Sequence, residues 1–208
     1  MHNQTIENLL RIDTRGQASG PLTRALGDQL EQRLRHYSPR LQVTRRQLAA
    51  DLPLVDDAWI AANLTDPAQR SEQQRDLLAV SDGLIAELQQ ADAVIMTVPM
   101  HNFSVPGVVK AWIDQVCRAG LTFRYTENGP QGLLADRPVY LVLASGGVAF
   151  GSQVDYLSGY LKQIFGFIGI SDVHLVTAEA INLHAADSVE RAQQAIDLLL
   201  PESAGEVA

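Results

Sequence analysis

Three short stretches combine residue types that can hold a flat, anionic ligand without supplying an acid or a nucleophile. Pro99-Met100-His101-Asn102-Phe103-Ser104-Val105-Pro106-Gly107 sets an imidazole, an amide and a benzyl ring between an apolar run and an amphipathic segment. A flat heteroaromatic molecule needs apolar faces plus backbone and amide groups that read its polar edge, and this stretch has both. The bland alternative is that Met100 and Phe103 are core and His101 caps a neighbour. Ser145-Gly146-Gly147 follows another apolar run, and adjacent glycines let backbone N–H groups approach a ligand with no side chain in the way, or simply make a flexible turn. The 13–21 stretch precedes a helical pattern, whose unpaired N–H groups and dipole favour an anion such as phosphate. It also fits an ordinary turn capped by Ser19, with Pro21 at the first helical position.

Other chemistries fit poorly. The two glycines of the 13–21 stretch do not make G-x-G-x-x-G, and the glycines at 146–151 lead into Ser152-Gln153 instead of the Gly-Lys-Ser/Thr of a triphosphate loop. Ser145 lacks the preceding glycine of a nucleophile elbow. Cys117 falls near the C-terminal end of a predicted helix, where the dipole disfavours a thiolate, so it reads as core. His2, His36, His174 and His184 show no metal-ligand spacing, and no metal is expected.

The elements that must position these stretches follow from periodicity. Short apolar, β-branched runs at 8–12, 41–45, 92–98, 138–144 and 172–178 alternate with helical patterns at 22–37, 71–90, 107–119, 154–168 and 188–200. That alternation predicts an α/β fold with a doubly wound, five-stranded parallel sheet in three layers. The ligand-bearing loops then lie beyond the carboxyl ends of the strands, which is where all three stretches fall. Residues 51–67 form a surface excursion with one short helix carrying Trp59 and Ile60 over something apolar, and residues 122–132 form a short projecting hairpin turning at Asn128-Gly129. The 208 residues suit one domain, with frayed ends at about 1–7 and 201–208.

Composition narrows the setting. Hydrophobic residues at 46% and charged residues at 19% belong to a chain that buries a core, which excludes disorder for its bulk. Sixteen Lys+Arg against twenty-four Asp+Glu, a net charge of −8, repel a phosphate backbone, so nucleic acid is not an expected partner. Apolar runs such as 93–100 are far too short to span a membrane, and one cysteine cannot form an internal disulfide; a cytoplasmic protein is expected.

The stretch from Pro99 through Phe103, continuing through Lys110-Ala111-Trp112-Ile113-Asp114 to Arg118-Ala119-Gly120-Leu121-Thr122-Phe123-Arg124-Tyr125-Thr126-Glu127-Asn128-Gly129-Pro130-Gln131-Gly132-Leu133, closely resembles the FMN-dependent NADH-azoreductase family, also described as NADH:quinone oxidoreductases. The resemblance resumes at Ser145-Gly146-Gly147, Asp155-Tyr156-Leu157 and Phe165-Gly166-Phe167-Ile168-Gly169-Ile170. It implies a flavodoxin-like fold, a homodimer with active sites at the subunit interface, and one FMN per subunit. Family members take hydride from NADH (NADPH is the other candidate donor) and pass it to quinones and azo compounds by a ping-pong route. The family's flavin-ring motif maps to Met100, His101, Asn102 and Phe103, and its second ring loop to Ala144, Ser145, Gly146 and Gly147. Position 101 is often Tyr in the family, and the histidine here adds a possible charge beside the ring.

The phosphate loop departs from the family. Its three hydroxyl positions fall on Arg15, Pro21 and Thr23, flanking Leu22, and only Thr23 keeps an OH. Arg15 offers a charge-assisted contact in compensation. Trp59, Tyr125 and Phe150 are expected in the substrate pocket, and no protein side chain is expected to be catalytic in its own right. The competing reading is a dimeric, flavodoxin-like binding module that has lost tight FMN binding through the altered loop.

Overall fold

The computed structural model describes residues 6–14 and 20–200. In chain order its elements are β1 (Asn8–Thr14), α1 (Gly20–Tyr37), β2 (Gln42–Leu48), α2 (Asp57–Leu64), α3 (Glu72–Gln90), β3 (Ala93–Pro99), α4 (Gly107–Val116), β4 (Phe123–Thr126), β5 (Gly129–Gly132), β6 (Val139–Ala144), α5 (Ser158–Ile168), β7 (Val173–Ala178) and α6 (Ile181–Leu199). Five strands pair in parallel in the order β2-β1-β3-β6-β7, while β4 and β5 form a separate antiparallel hairpin. The winding runs from β1 out to β2 and then back past β1 to β3. The point of reversal, where such sheets hold their ligands, therefore lies between β1 and β3.

Every residue of β3 and of β6 is buried, as continuous apolar runs require of central strands covered on both faces. On one face Leu10, Ile12 and Leu48 pack with Leu84 of α3, Trp112 of α4 and Leu161 of α5. On the other, Leu9 packs with Leu26, Leu30 and Leu34 of α1 and with Ala192 and Ile196 of α6. These are the three expected layers. Among the described residues no helix is long and apolar enough to cross a membrane.

Several boundaries differ from the sequence reading, each for a local reason. α4 stops at Val116, because Thr122 Oγ1 accepts from Arg118 N and donates to Val116 O, which closes the chain into a tight turn. α5 begins only at Ser158, since Asp155 holds the preceding residues in a capping turn through the N–H groups of Leu157 and Ser158. α6 begins earlier than expected, at Ile181, after Ala180 takes a left-handed φ of 52°; a non-helical His184 interrupts the periodicity that would have revealed this first turn. The expected loose amino end does not reach residue 7, for Glu7 O accepts from Gln42 N and Glu7 N donates to Asp92. Residues 1–5 and 201–208 lie outside the described residues.

The hairpin forms with Thr126 opposite Gly129, and its two aromatics differ in exposure. Phe123 is buried against Phe167, ring centroids 4.3 Å apart, and only Tyr125 stands out, 76% exposed. Gly132 explains the tight docking: a Cβ there would lie 2.1 Å from Gly169 N, so the hairpin's last residue sits against the backbone that ends α5.

Candidate functional site

Two of the three loops are joined by backbone. Met100 N donates to Ala144 O at 2.7 Å, extending the pairing of Pro99 with Ala144 beyond the sheet, so the 100–105 and 145–153 loops leave adjacent strand ends side by side. His101 and Ser104 exchange both backbone hydrogen bonds at 3.0 Å, which turns Asn102 and Phe103 out at the tip with left-handed φ values of 47° and 71°. Such angles in non-glycine residues cost energy and concentrate where a loop serves a ligand. Tyr156 N donates to Phe103 O and so props the loop from α5's side.

The 145–153 loop is held from behind by the start of α6. Ser145 is buried; its N–H reaches Ala178 O, its hydroxyl donates to Val148 O, and Ile181 N and Asn182 N donate to the carbonyls of Ser145 and Gly146. Phe150 N donates to Glu179 Oε2 at 2.9 Å. A Cβ at Gly146 would meet Asn182 Nδ2 at 2.8 Å, whereas one at Gly147 would enter open space. Gly146 thus lies against the Asn182 amide, which a side chain would displace, and Gly147 leaves its outer side clear.

Among the described residues, the N–H groups of Asn102, Phe103, Gly146 and Gly147 make no hydrogen bond. Thr14 Oγ1, buried at the carboxyl end of β1, is also without a partner. Exposed donors are satisfied by water, but a buried hydroxyl left alone is costly and points to a group not yet accounted for. These unspent groups at the carboxyl ends of β1, β3 and β6, with the half-exposed ring of Phe103 and the thioether of Met100 seated on the core, suit a planar ligand that carries polar edges.

The expected site residues divide into three groups. Met100, His101, Asn102 and Phe103 are brought together with Ala144, Ser145, Gly146 and Gly147. His101 and Asn102 are exposed and Ala144 is buried. Pro21, Leu22 and Thr23 occupy the opening turns of α1, with Pro21 exposed, Leu22 half-buried on the α1 core and Thr23 buried. Arg15 lies outside the described residues.

The proposed pocket walls are scattered. Phe150 is half-buried against the core. Among the described residues Tyr125's ring contact is with Phe123, at 5.4 Å. Trp59 corrects the expectation of an open wall: it is 6% exposed, packed with Ala62 and Leu78, and the Arg118 guanidinium lies 5.7 Å over its ring. Arg118, itself buried, donates to Asn63, Ser81 and Asp82, so the Trp59 ring belongs to the packing of α2 on α3.

A cavity of about 730 Å³ opens beside the ring loop, lined by Ser104, Val105, Lys110, Asp155, Tyr156, Gly159 and Tyr160. Burial pushes the Tyr160 phenol up, while Lys110 is raised by its hydrogen bond to Asp114 and stays charged. Cys117 is pushed up to about 12, chiefly by burial, which removes it as a nucleophile. Among the described residues no cluster of His, Cys, Asp and Glu could hold a metal ion. Tyr156, Glu179 and Asn182 support the loops from distant parts of the chain, a role with no sequence signal except that Tyr156 falls within one of the resembling segments.

Comparison with known proteins fits this geometry. The family described as "Flavodoxin-like fold" matches residues 7–200. An "FMN-dependent NADH:quinone oxidoreductase 1" of Hahella chejuensis is 43% identical over 194 residues, covering 93% of this chain and 95% of the relative. One of the same name from Jannaschia sp. is 42% identical over 192 residues, covering 92% and 98%. The crystal structure of an FMN-dependent NADH-azoreductase from Bacillus anthracis, in complex with FMN, shares the fold with a TM-score of 0.82 over 94% of this chain and 98% of that one, at 22% identity.

Proposed function

The chain belongs to the family with the flavodoxin-like fold, and from that premise we propose that it is an FMN-dependent NADH:quinone oxidoreductase that also reduces azo compounds. The observation that carries this reading is the end-to-end match, at 43% identity, to a relative bearing that name. The cleft fits such a cofactor on its own evidence, through the unspent N–H groups of the two ring loops and the partnerless Thr14 hydroxyl. The relatives lend no support to the alternative of a binding module without FMN.

Bound in this cleft, FMN would supply the redox chemistry between NADH and the quinone or azo acceptor. The chain's own residues bind and orient. Met100 and Phe103 offer apolar surface to a flat ring, while the N–H groups of Asn102, Phe103, Gly146 and Gly147 meet its polar edge and favour negative charge there. Pro21, Leu22, Thr23 and Arg15 are assigned to the phosphate, with Arg15 supplying the charge. We also read the chain as one cytoplasmic domain that works as a homodimer. The exposed rings of Phe103, Tyr125 and Tyr156, at 52%, 76% and 61%, support this, as aromatic surface of that extent suits a partner better than water.

The test is the resident cofactor. Protein purified, desalted and heated should release FMN, identified by mass spectrometry. Release of FAD instead, or a colourless protein that takes up no added FMN, overturns the reading.

A further inference from the structure

One charged cluster lies outside the loops described above. Arg11 sits in β1, in the middle of the sheet, with its side chain fully buried under α1. A guanidinium in such a place is expensive unless every direction is compensated. Its Nε donates to Asp13 Oδ1 at 2.8 Å and its Nη2 to the carbonyl of Arg24, near the start of α1, at 3.2 Å. Asp28 Oδ1 lies 3.2 Å from Nη2, and Glu31 Oε2 lies 3.5 Å from Nη1, which makes no hydrogen bond and is compensated by charge alone. Gly27 makes the approach possible, since a Cβ there would stand 2.6 Å from Nη2.

The three carboxylates around Arg11 are not equivalent. Glu31 is held by Arg45 at 2.8 Å and Arg35 at 3.1 Å, and Asp28 is 61% exposed to water. Asp13 has neither form of relief: its side chain is 17% exposed, and its remaining contact is the hydroxyl of Thr97, which donates to it at 2.8 Å. It is also the penultimate residue of β1, at the reversal point where the sheet's ligand belongs. A fixed negative charge there repels a phosphate unless a positive charge cancels it.

We propose that Arg11 is a positioning residue for the phosphate end of the cofactor: it pins the start of α1 to β1 and cancels the Asp13 carboxylate. The inference rests on the FMN reading of the cleft. The phosphate itself touches other groups; Arg11 acts through Asp13 and the Arg24 carbonyl.

The experiment compares FMN with riboflavin, which lacks the phosphate, by fluorescence quenching on apoprotein made from the wild type, Arg11→Met, Asp13→Asn and the double variant. Arg11→Met should weaken FMN about tenfold or more relative to riboflavin, the effect of one unit charge at close range in a partly buried site. Asp13→Asn keeps an oxygen to accept from Arg11 and Thr97 but removes the charge, so it should tighten FMN selectively. In the Arg11→Met background it should restore most of the lost affinity. A purely structural arginine gives equal losses for both flavins and no rescue, which overturns the proposal and leaves the FMN reading standing. If Arg11→Met does not fold, Asp13→Asn decides alone, and unchanged or weaker FMN binding overturns it. A wild type that binds FMN no better than riboflavin removes the phosphate site and the proposal together.

Discussion

Gly147 and Gly132 show how differently one added methyl group can act. A Cβ at Gly147 meets nothing within 4 Å, so Gly147→Ala should leave the unfolding free energy unchanged to within about 0.5 kcal/mol. It should nevertheless weaken FMN binding by roughly tenfold, about 1.4 kcal/mol, because it fills the side left open to the ring. At Gly132 the same methyl collides with backbone, and Gly132→Ala should cost about 3 kcal/mol in denaturant unfolding. Arg15→Ala should weaken FMN but not riboflavin, by about 1.5–3 kcal/mol, the range for a hydrogen bond to a charged group. The neighbourhood of the two ring loops was legible because both follow strands that the apolar runs predict, whereas the roles of their residues were not, since the same residue types also fit core and turn. Arg11 was not, since an arginine inside a strand pattern reads as a solvent-facing position, and only the folded packing of Gly27 against it reveals the burial.

Capping governs the elements that carry the loops, and Asp155 is the clearest case. Burial works to raise its carboxyl, but the donors Gly151 N, Ser158 Oγ, Ser158 N and Leu157 N outweigh this and hold it below the ordinary carboxylate value. Asp155→Ala should therefore cost about 1 kcal/mol of stability at neutral pH, the usual scale for losing a helix cap. A folded-state value below the unfolded one adds stability above the unfolded carboxylate range and loses it as pH falls through the folded value. The gap between wild type and variant should accordingly hold from neutral pH down to that range and shrink below it in pH-dependent unfolding. The central strands β3 and β6 were legible because short continuous apolar runs stand out between helical patterns, whereas β2, largely polar and exposed, extends past the expected 41–45 to Leu48. The ends of α4, α5 and α6 were not, because Thr122, Asp155 and the left-handed Ala180 set them through contacts that leave the helical pattern intact. Phe123 and Tyr125, two apart in the strand, fall on one face by alternation, and nothing in the pattern says which ring meets Phe167.

For the whole molecule, the sheet order brings loops some 45 residues apart in sequence to one edge, which is where we place the flavin. Exposed aromatics beside it predict a dimer: sedimentation at micromolar concentration should give twice the chain mass, and Tyr156→Ala, beside the ring loop, should weaken the assembly more than Phe123→Ala, whose ring is spent inside the subunit. The central claim concerns electron transfer through one cofactor. FMN-loaded protein mixed with NADH without oxygen should lose its yellow absorbance, and a simple benzoquinone added next should restore it, with FMN-free protein doing neither. Loaded protein that keeps its colour with NADH, or stays bleached when the quinone is added, contradicts the account.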